Sequence, residues 1–209
     1  MVKSFAQDRI SWLGHDGFLI DGTQKLYFDP YQIDGGSRAD IICITHEHFD
    51  HCSPEDVAKV QGPDTVIVTE AQCKGKLSGD VRVMKPGDTL EVKGVHIHAV
   101  ASYNTNKDFH PRKNAWLGFV VNMDGVRIYH AGDTDFIPEM KDLEVDIALL
   151  PVSGTYVMTA DEAVKAALAI NPKLAIPMHY GAIVGDKQDA RTFKDSLEGK
   201  IDVLILEKD

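Results

Sequence analysis

The chain has 209 residues, 44% of them hydrophobic and 26% charged, which suits a globular protein large enough to bury a full core. Its net charge of −10 disfavours broad nucleic-acid binding and docking on anionic lipid, since both need a basic surface; a small phosphorylated substrate stays open, because local cations can reverse the field inside a cleft. No apolar run could span a bilayer, the first residues lack a signal-peptide core, and the cysteines form no CxxC pair, so a cytoplasmic protein with reduced thiols is expected.

Strands are predicted over 9–13, 18–21 and 25–28, with Asp21-Gly22 as a hairpin turn. His15 stands in the first turn, within Trp12-Leu13-Gly14-His15-Asp16-Gly17. Asp29-Pro30-Tyr31 ends the third strand. Ile41-Ile42-Cys43-Ile44 then reads as a buried strand that runs directly into Thr45-His46-Glu47-His48-Phe49-Asp50-His51. Imidazole nitrogen and carboxylate oxygen are the ligands of zinc and its first-row neighbours. His46 and His48 are too close in sequence to share a helix face. On a turning loop they can grip one metal while Asp50 and His51 turn toward a second. Cys52, directly after His51, is a further ligand candidate that the motif does not require.

Ser53-Pro54-Glu55-Asp56 has the hydroxyl, proline and acids of a helix start. A strand over 65–69, a short helix around 70–77 and a strand over 81–84 follow. Pro86-Gly87-Asp88 then leads to strands over 89–92, 95–101, 117–122 and 126–130. His96 and His98 share one face of their strand, read as solvent-facing. The polar loop over 101–113 carries Tyr103, Asn104 and His110, and loops of this kind tend to carry function. In His130-Ala131-Gly132-Asp133-Thr134-Asp135, Gly132 permits close backbone approach and Asp133 can bridge two cations with its two oxygens. The last third alternates: a strand over 145–152, a helix from the Thr159–Glu162 capping box to about 170, a strand over 174–178 ending at His179, a helix around 190–197 and a strand over 201–206. Residues 1–209 therefore read as one domain. The candidate ligands follow predicted strands, where sheet-edge loops place their chemistry.

Thr45-His46-x-His48-x-Asp50-His51, followed downstream by Gly132-Asp133-Thr134 and His179, resembles the metallo-β-lactamase superfamily over most of the chain. Histidine at position 48, where the flavodiiron branch has Glu, aligns it with the hydrolytic branches. The Gly14-His15 pair and the stretch Gly154–Thr159 resemble the small metal-dependent hydrolases of the L-ascorbate-6-phosphate lactonase-like and phospholipase-D-like branches. The resemblance implies an α/β fold, an αββα sandwich of two mixed β-sheets flanked by helices. It also implies a binuclear centre of two divalent metal ions, zinc first with manganese or iron as alternatives, with Asp133 as the bridge. The expected ligands are His46, His48, Asp50, His51, His110, Asp133 and His179. The family's remaining histidine for the first metal would fall near Tyr103-Asn104, where this chain has none; loop placement points to His110, with His98 and Asn104 as alternatives.

The activity so implied is hydrolysis of a small ester, lactone or phosphodiester by a metal-activated hydroxide. Asp50 would hold the water and take its proton, and His15, Tyr103 or Tyr156 could protonate the leaving group. Asp50, His15 and Tyr156 are the predicted catalytic residues. The alternatives are a metal-binding or ligand-sensing module without turnover, or an RNA-processing nuclease of the same superfamily. The expected partner is a small-molecule substrate, with neither nucleic acid nor membrane, and a homo-oligomer is compatible with the sequence.

Overall fold

A computed structural model describes residues 2–209. It opens with a helix, α1 (Val2–Arg9), in which only Ala6 is buried. So narrow a buried face leaves no apolar period in the sequence, and no helix was expected there.

The first sheet runs in chain order through β1 (Ile10–Gly14), β2 (Gly17–Asp21), β3 (Lys25–Phe28), β4 (Ile41–Cys43), β5 (Val66–Thr69) and β6 (Asp80–Val83). The meander β1–β3 is antiparallel, and β3 to β6 are parallel. The second sheet holds β7 (Thr89–Val92), β8 (Val95–Ala101), β9 (Leu117–Met123) and β10 (Val126–His130), all antiparallel. Parallel strands β11 (Ile147–Pro151), β12 (Leu174–Met178) and β13 (Asp202–Val203) extend it.

Alternation places Phe18, Ile20, Phe28 and Ile41 of the first sheet in one buried cluster with Phe119, Val121 and Ile128 of the second. Each large apolar side chain so buried contributes about 1.5–3 kcal/mol. On the outer face of the first sheet, Ile42 and Ile67 meet Val57 and Val60 of α2 (Pro54–Val60). Ser53 caps that helix through its hydroxyl, and Pro54 opens it. On the second sheet, α3 (Ala160–Ile170) packs on β11 and α4 (Lys187–Ser196) on β12. Thr159 and Glu162 form the expected capping box of α3. Two mixed sheets with helices outside make the αββα sandwich.

Two elements differ from expectation. The helix around 70–77 shrinks to a 3-10 turn at Lys74–Lys76, because the Glu70 carboxylate accepts the amides of Gln72 and Cys73 and holds the chain in a turn. The last strand pairs only over Asp202–Val203; beyond it the chain swings to the other sheet, where Lys208 bridges Trp12 and Asp209 donates to the Trp12 carbonyl at 3.0 Å. Among the described residues no helix is long and apolar enough to cross a membrane.

Candidate metal centre

Parallel β3 and β4 end side by side, so Asp29 meets the loop that follows β4. Its carboxylate accepts the Thr45 amide at 2.8 Å, the Thr45 hydroxyl at 2.6 Å and His51 Nδ1 at 2.8 Å. The Thr45 hydroxyl has spent its proton on Asp29, so at 3.0 Å it accepts from His46 Nδ1. Both rings are thereby fixed with Nε2 turned the other way, the arrangement that orients metal-binding histidines. The amides of His51 and Cys52 both donate to the His48 carbonyl, which tightens the loop into a turn. That turn sends the Cys52 side chain into the outer core with Cys73, away from the histidines, and removes it as a ligand candidate.

The second sheet delivers the other residues. His110 Nδ1 lies 3.1 Å from Asn104 Oδ1, which also accepts the His110 amide. His179 Nδ1 is bonded to the Ser153 hydroxyl at 2.8 Å. Asp133 follows β10, and its carbonyl accepts the Ser102 hydroxyl. Gly132 has a φ of +61°, and a Cβ there would stand 2.8 Å from the Leu117 carbonyl and 3.1 Å from Thr45 Cβ, so only glycine lets the two sheets approach this closely.

These residues converge. The ligand atoms of His46, His48 and His110 lie within 4.8 Å of one another, as do those of His15, Asp50, His51 and His179. Asp133 stands between the groups: Oδ2 is 3.1 Å from His110 Nε2 and 3.2 Å from His179 Nε2, and Oδ1 is 3.4 Å from His51 Nε2. His15 Nε2 touches Asp50 Oδ2 at 3.1 Å. His98 is exposed on the far face of β8 and cannot reach the cluster. Tyr103 turns its hydroxyl to Glu139 instead, with both carboxylate oxygens within 3.2 Å. Tyr156 sits half-buried against Phe109, and its carbonyl accepts from Asn104, the residue that orients His110.

The electrostatics call for positive charge. His51 Nε2, His110 Nε2, His179 Nε2 and Asp133 Oδ1 are buried and lack a partner at hydrogen-bond geometry. Each such atom costs about 1–3 kcal/mol when left unpaired. Burial opposes charge on His51, yet Asp133 and Asp29 outweigh it and hold that imidazole well above its ordinary value. At His179 burial is likewise outweighed by Asp133 and Asp16, which raise it to about 9. Burial, reinforced by the neighbouring His51, holds His46 well below its usual range, hence neutral. Orphaned nitrogens facing an ionised carboxylate form a donor set that fits divalent cations.

Three residues escaped the sequence reading. Asp29 was seen only as a strand end, although the strand-end logic applied to the other acids covers it. Asp16 carries a fully buried carboxyl with neither oxygen bonded, within reach of Asp133 and His179. Its burial raises it well above the carboxylate range. Trp116 lies against His46, His48 and His110 with ring centroids 4.8, 4.7 and 5.5 Å away. His15, Asp29 and His179 adopt positive φ, a conformation that L-residues other than glycine rarely take and that clusters at functional sites. A cleft of about 450 Å³ opens beside His15, lined also by Trp12, Tyr31, Gln32 and Tyr180.

Comparison with known proteins agrees with this geometry. The beta-lactamase superfamily domain matches residues 9–179. A UPF0173 metal-dependent hydrolase of Methanoregula boonei is 33% identical, over 94% of this chain and 92% of its own. The crystal structure of a protein from Parabacteroides distasonis superposes with a TM-score of 0.85 at 38% identity, covering 95% of this chain and 93% of that one. Igni18, a metallo hydrolase of Ignicoccus hospitalis, shares the fold with a TM-score of 0.76 at 21% identity, over 95% and 94% of the two chains.

Proposed function

The chain belongs to the beta-lactamase superfamily, and on that premise we propose that it is a metal-dependent hydrolase of small, uncharged esters or lactones. The observation that carries this reading is the convergence on Asp133 of buried imidazoles whose Nε2 atoms lack a hydrogen-bond partner. His46, His48 and His110 with Asp133 Oδ2 would hold one cation, and Asp50, His51 and His179 with Asp133 the other. When bound, such cations, zinc foremost, supply hydroxide near neutral pH and polarise the carbonyl under attack.

The chain's own groups divide the proton work. Burial opposes ionisation of Asp50, but the His15 hydrogen bond outweighs it and keeps the carboxyl below its usual range. An ionised Asp50 only accepts, so His15 must donate from Nε2. Burial lowers His15 and keeps it neutral. We therefore assign His15 to holding Asp50 in place and Asp50 to taking the proton of the attacking water, and we propose Tyr156, whose ring packs on Phe109 next to His110, as the donor to the leaving oxygen.

The loops that carry the proposed ligands favour an uncharged substrate. Phe49, Phe109 and Ile183 are 69%, 49% and 41% exposed, each within a few residues of a proposed ligand. Three nearby cations are paired: Lys107, on the Phe109 loop, with Asp135, Lys76 of the 3-10 turn with Glu47, and Lys187 at the start of α4 with Glu207. Exposed apolar side chains beside the proposed ligands, with paired cations nearby, suit an acyl group better than a phosphodiester or RNA. Assay of the zinc-loaded protein against aryl esters, lactones and bis-p-nitrophenyl phosphate tests this. Turnover of the acyl substrates above the phosphodiester is expected. The reverse order would move the substrate class, and silence on all with metal bound would favour a sensor.

A further inference from the structure

On the outer face of the second sheet, a separate cavity of about 380 Å³ is lined by none of the proposed metal ligands. Strand register builds its floor. Val100 pairs with Gly118, His98 with Val120 and Tyr129 with Val120, so all five residues face that side. Gly118 leaves the middle of this floor without a side chain; a Cβ there would stand 3.2 Å from Tyr129 Cε2 and 2.9 Å from the carbonyls of His130 and Ala131. The Tyr129 ring lies across the glycine.

The 3-10 turn Pro138–Asp142 roofs the space, with Met140 and Leu143 facing in, and Tyr103 and Trp116 close its side. At the mouth Arg112 pairs with Glu139 at 3.0 Å, so the two charges offset each other. Tyr129 is wholly buried, and its hydroxyl has no partner. Buried polar groups are nearly always bonded, so one left free on a residue that lines a cavity points to a ligand. Burial, helped by the Glu139 carboxylate, raises this phenol and keeps it a neutral donor.

We propose that this cavity binds a small, uncharged, mostly apolar molecule with one carbonyl-type oxygen, which accepts the Tyr129 hydroxyl while its apolar body fills the space under Met140 and Leu143. The volume falls in the range of small-molecule sites. Trp116 forms a wall of this cavity and also lies against the rings of His46, His48 and His110, so occupancy bears on the metal centre through one side chain.

Titration of the full-length chain with para-fluoroacetophenone, an apolar ring with a single carbonyl, followed by fluorine NMR, tests the proposal. Saturable binding is expected. Tyr129→Phe keeps the ring and should weaken binding by a few-fold to about tenfold, the range of one neutral hydrogen bond. Val100→Phe fills the floor and should abolish it. Leu143→Trp blocks the same space from the roof and serves where Val100→Phe fails to fold. Absence of saturable binding would overturn the proposal, as would binding that Tyr129→Phe or the blocking variants leave unchanged.

Discussion

The first sheet presents His46, His48, Asp50 and His51 on one short loop, where a single carboxylate, Asp29, braces the backbone, His46 and His51, whereas the second sheet sends His110, Asp133 and His179 from three separate loops, each with its own support. Asp29 holds the loop backbone through Thr45, orients His51 directly and orients His46 through the Thr45 hydroxyl. In the other half, Asn104 serves His110 and Ser153 serves His179, with no bond shared between them. A compact half braced at one point is stiff but fails together. A dispersed half loses one ligand at a time.

The largest effect should come from the compact half itself. Asp50→Asn cannot take a proton from water and ligates metal poorly, so kcat is expected to fall by at least about a hundredfold, near 2.7 kcal/mol of barrier, with the fold kept. A fall of less than about tenfold, measured on metal-replete protein, would remove Asp50 from the chemistry.

Next comes the brace. Asp29→Ala strips His51 and Thr45 of their acceptor and leaves the buried Thr45 amide unsatisfied. We expect metal affinity to drop by roughly 10–100-fold, the cost of losing an orienting partner, at both positions. A loss of about 1–3 kcal/mol in unfolding free energy should accompany it. Calorimetric titration with zinc and chemical denaturation read the two effects.

Ser153→Ala is the matched change in the dispersed half. It frees only His179 Nδ1, so one binding step should weaken, by about tenfold or less, while the other stays put. Equal damage to both steps, or a loss as large as that of Asp29→Ala, would erase the contrast between the halves.

The same contrast sets what was legible in the sequence. The compact half is a local pattern, and the spacing of His46, His48, Asp50 and His51 exposes it directly. From the residues alone, apart from the family resemblance, Asp133 and His179 of the dispersed half were reachable by asking which strands end in a ligand-type residue, and that rule is permissive. It reaches Asp133 and His179, but His130 also ends a strand, and this ring is buried in the core, stacked on Phe28 and bonded to the Asp16 carbonyl. His110 lies well past its strand, on a loop whose path depends on the Asn104 contacts, which no spacing encodes. The strands were readable because alternation and turn residues agree. Helix α1 and the crossing of the tail to Trp12 were not, since each depends on tertiary contacts more than on local pattern.

Asp133 is the residue that joins the halves, and the account stands or falls on it. Metal equivalents per chain, measured by elemental analysis and zinc titration on the wild type and on Asp133→Ala, give the most direct test. The account predicts about two equivalents in the wild type, as the proposed pair of cations requires, and one or fewer at weakened affinity in the variant. Two equivalents retained in Asp133→Ala at unchanged affinity would contradict it.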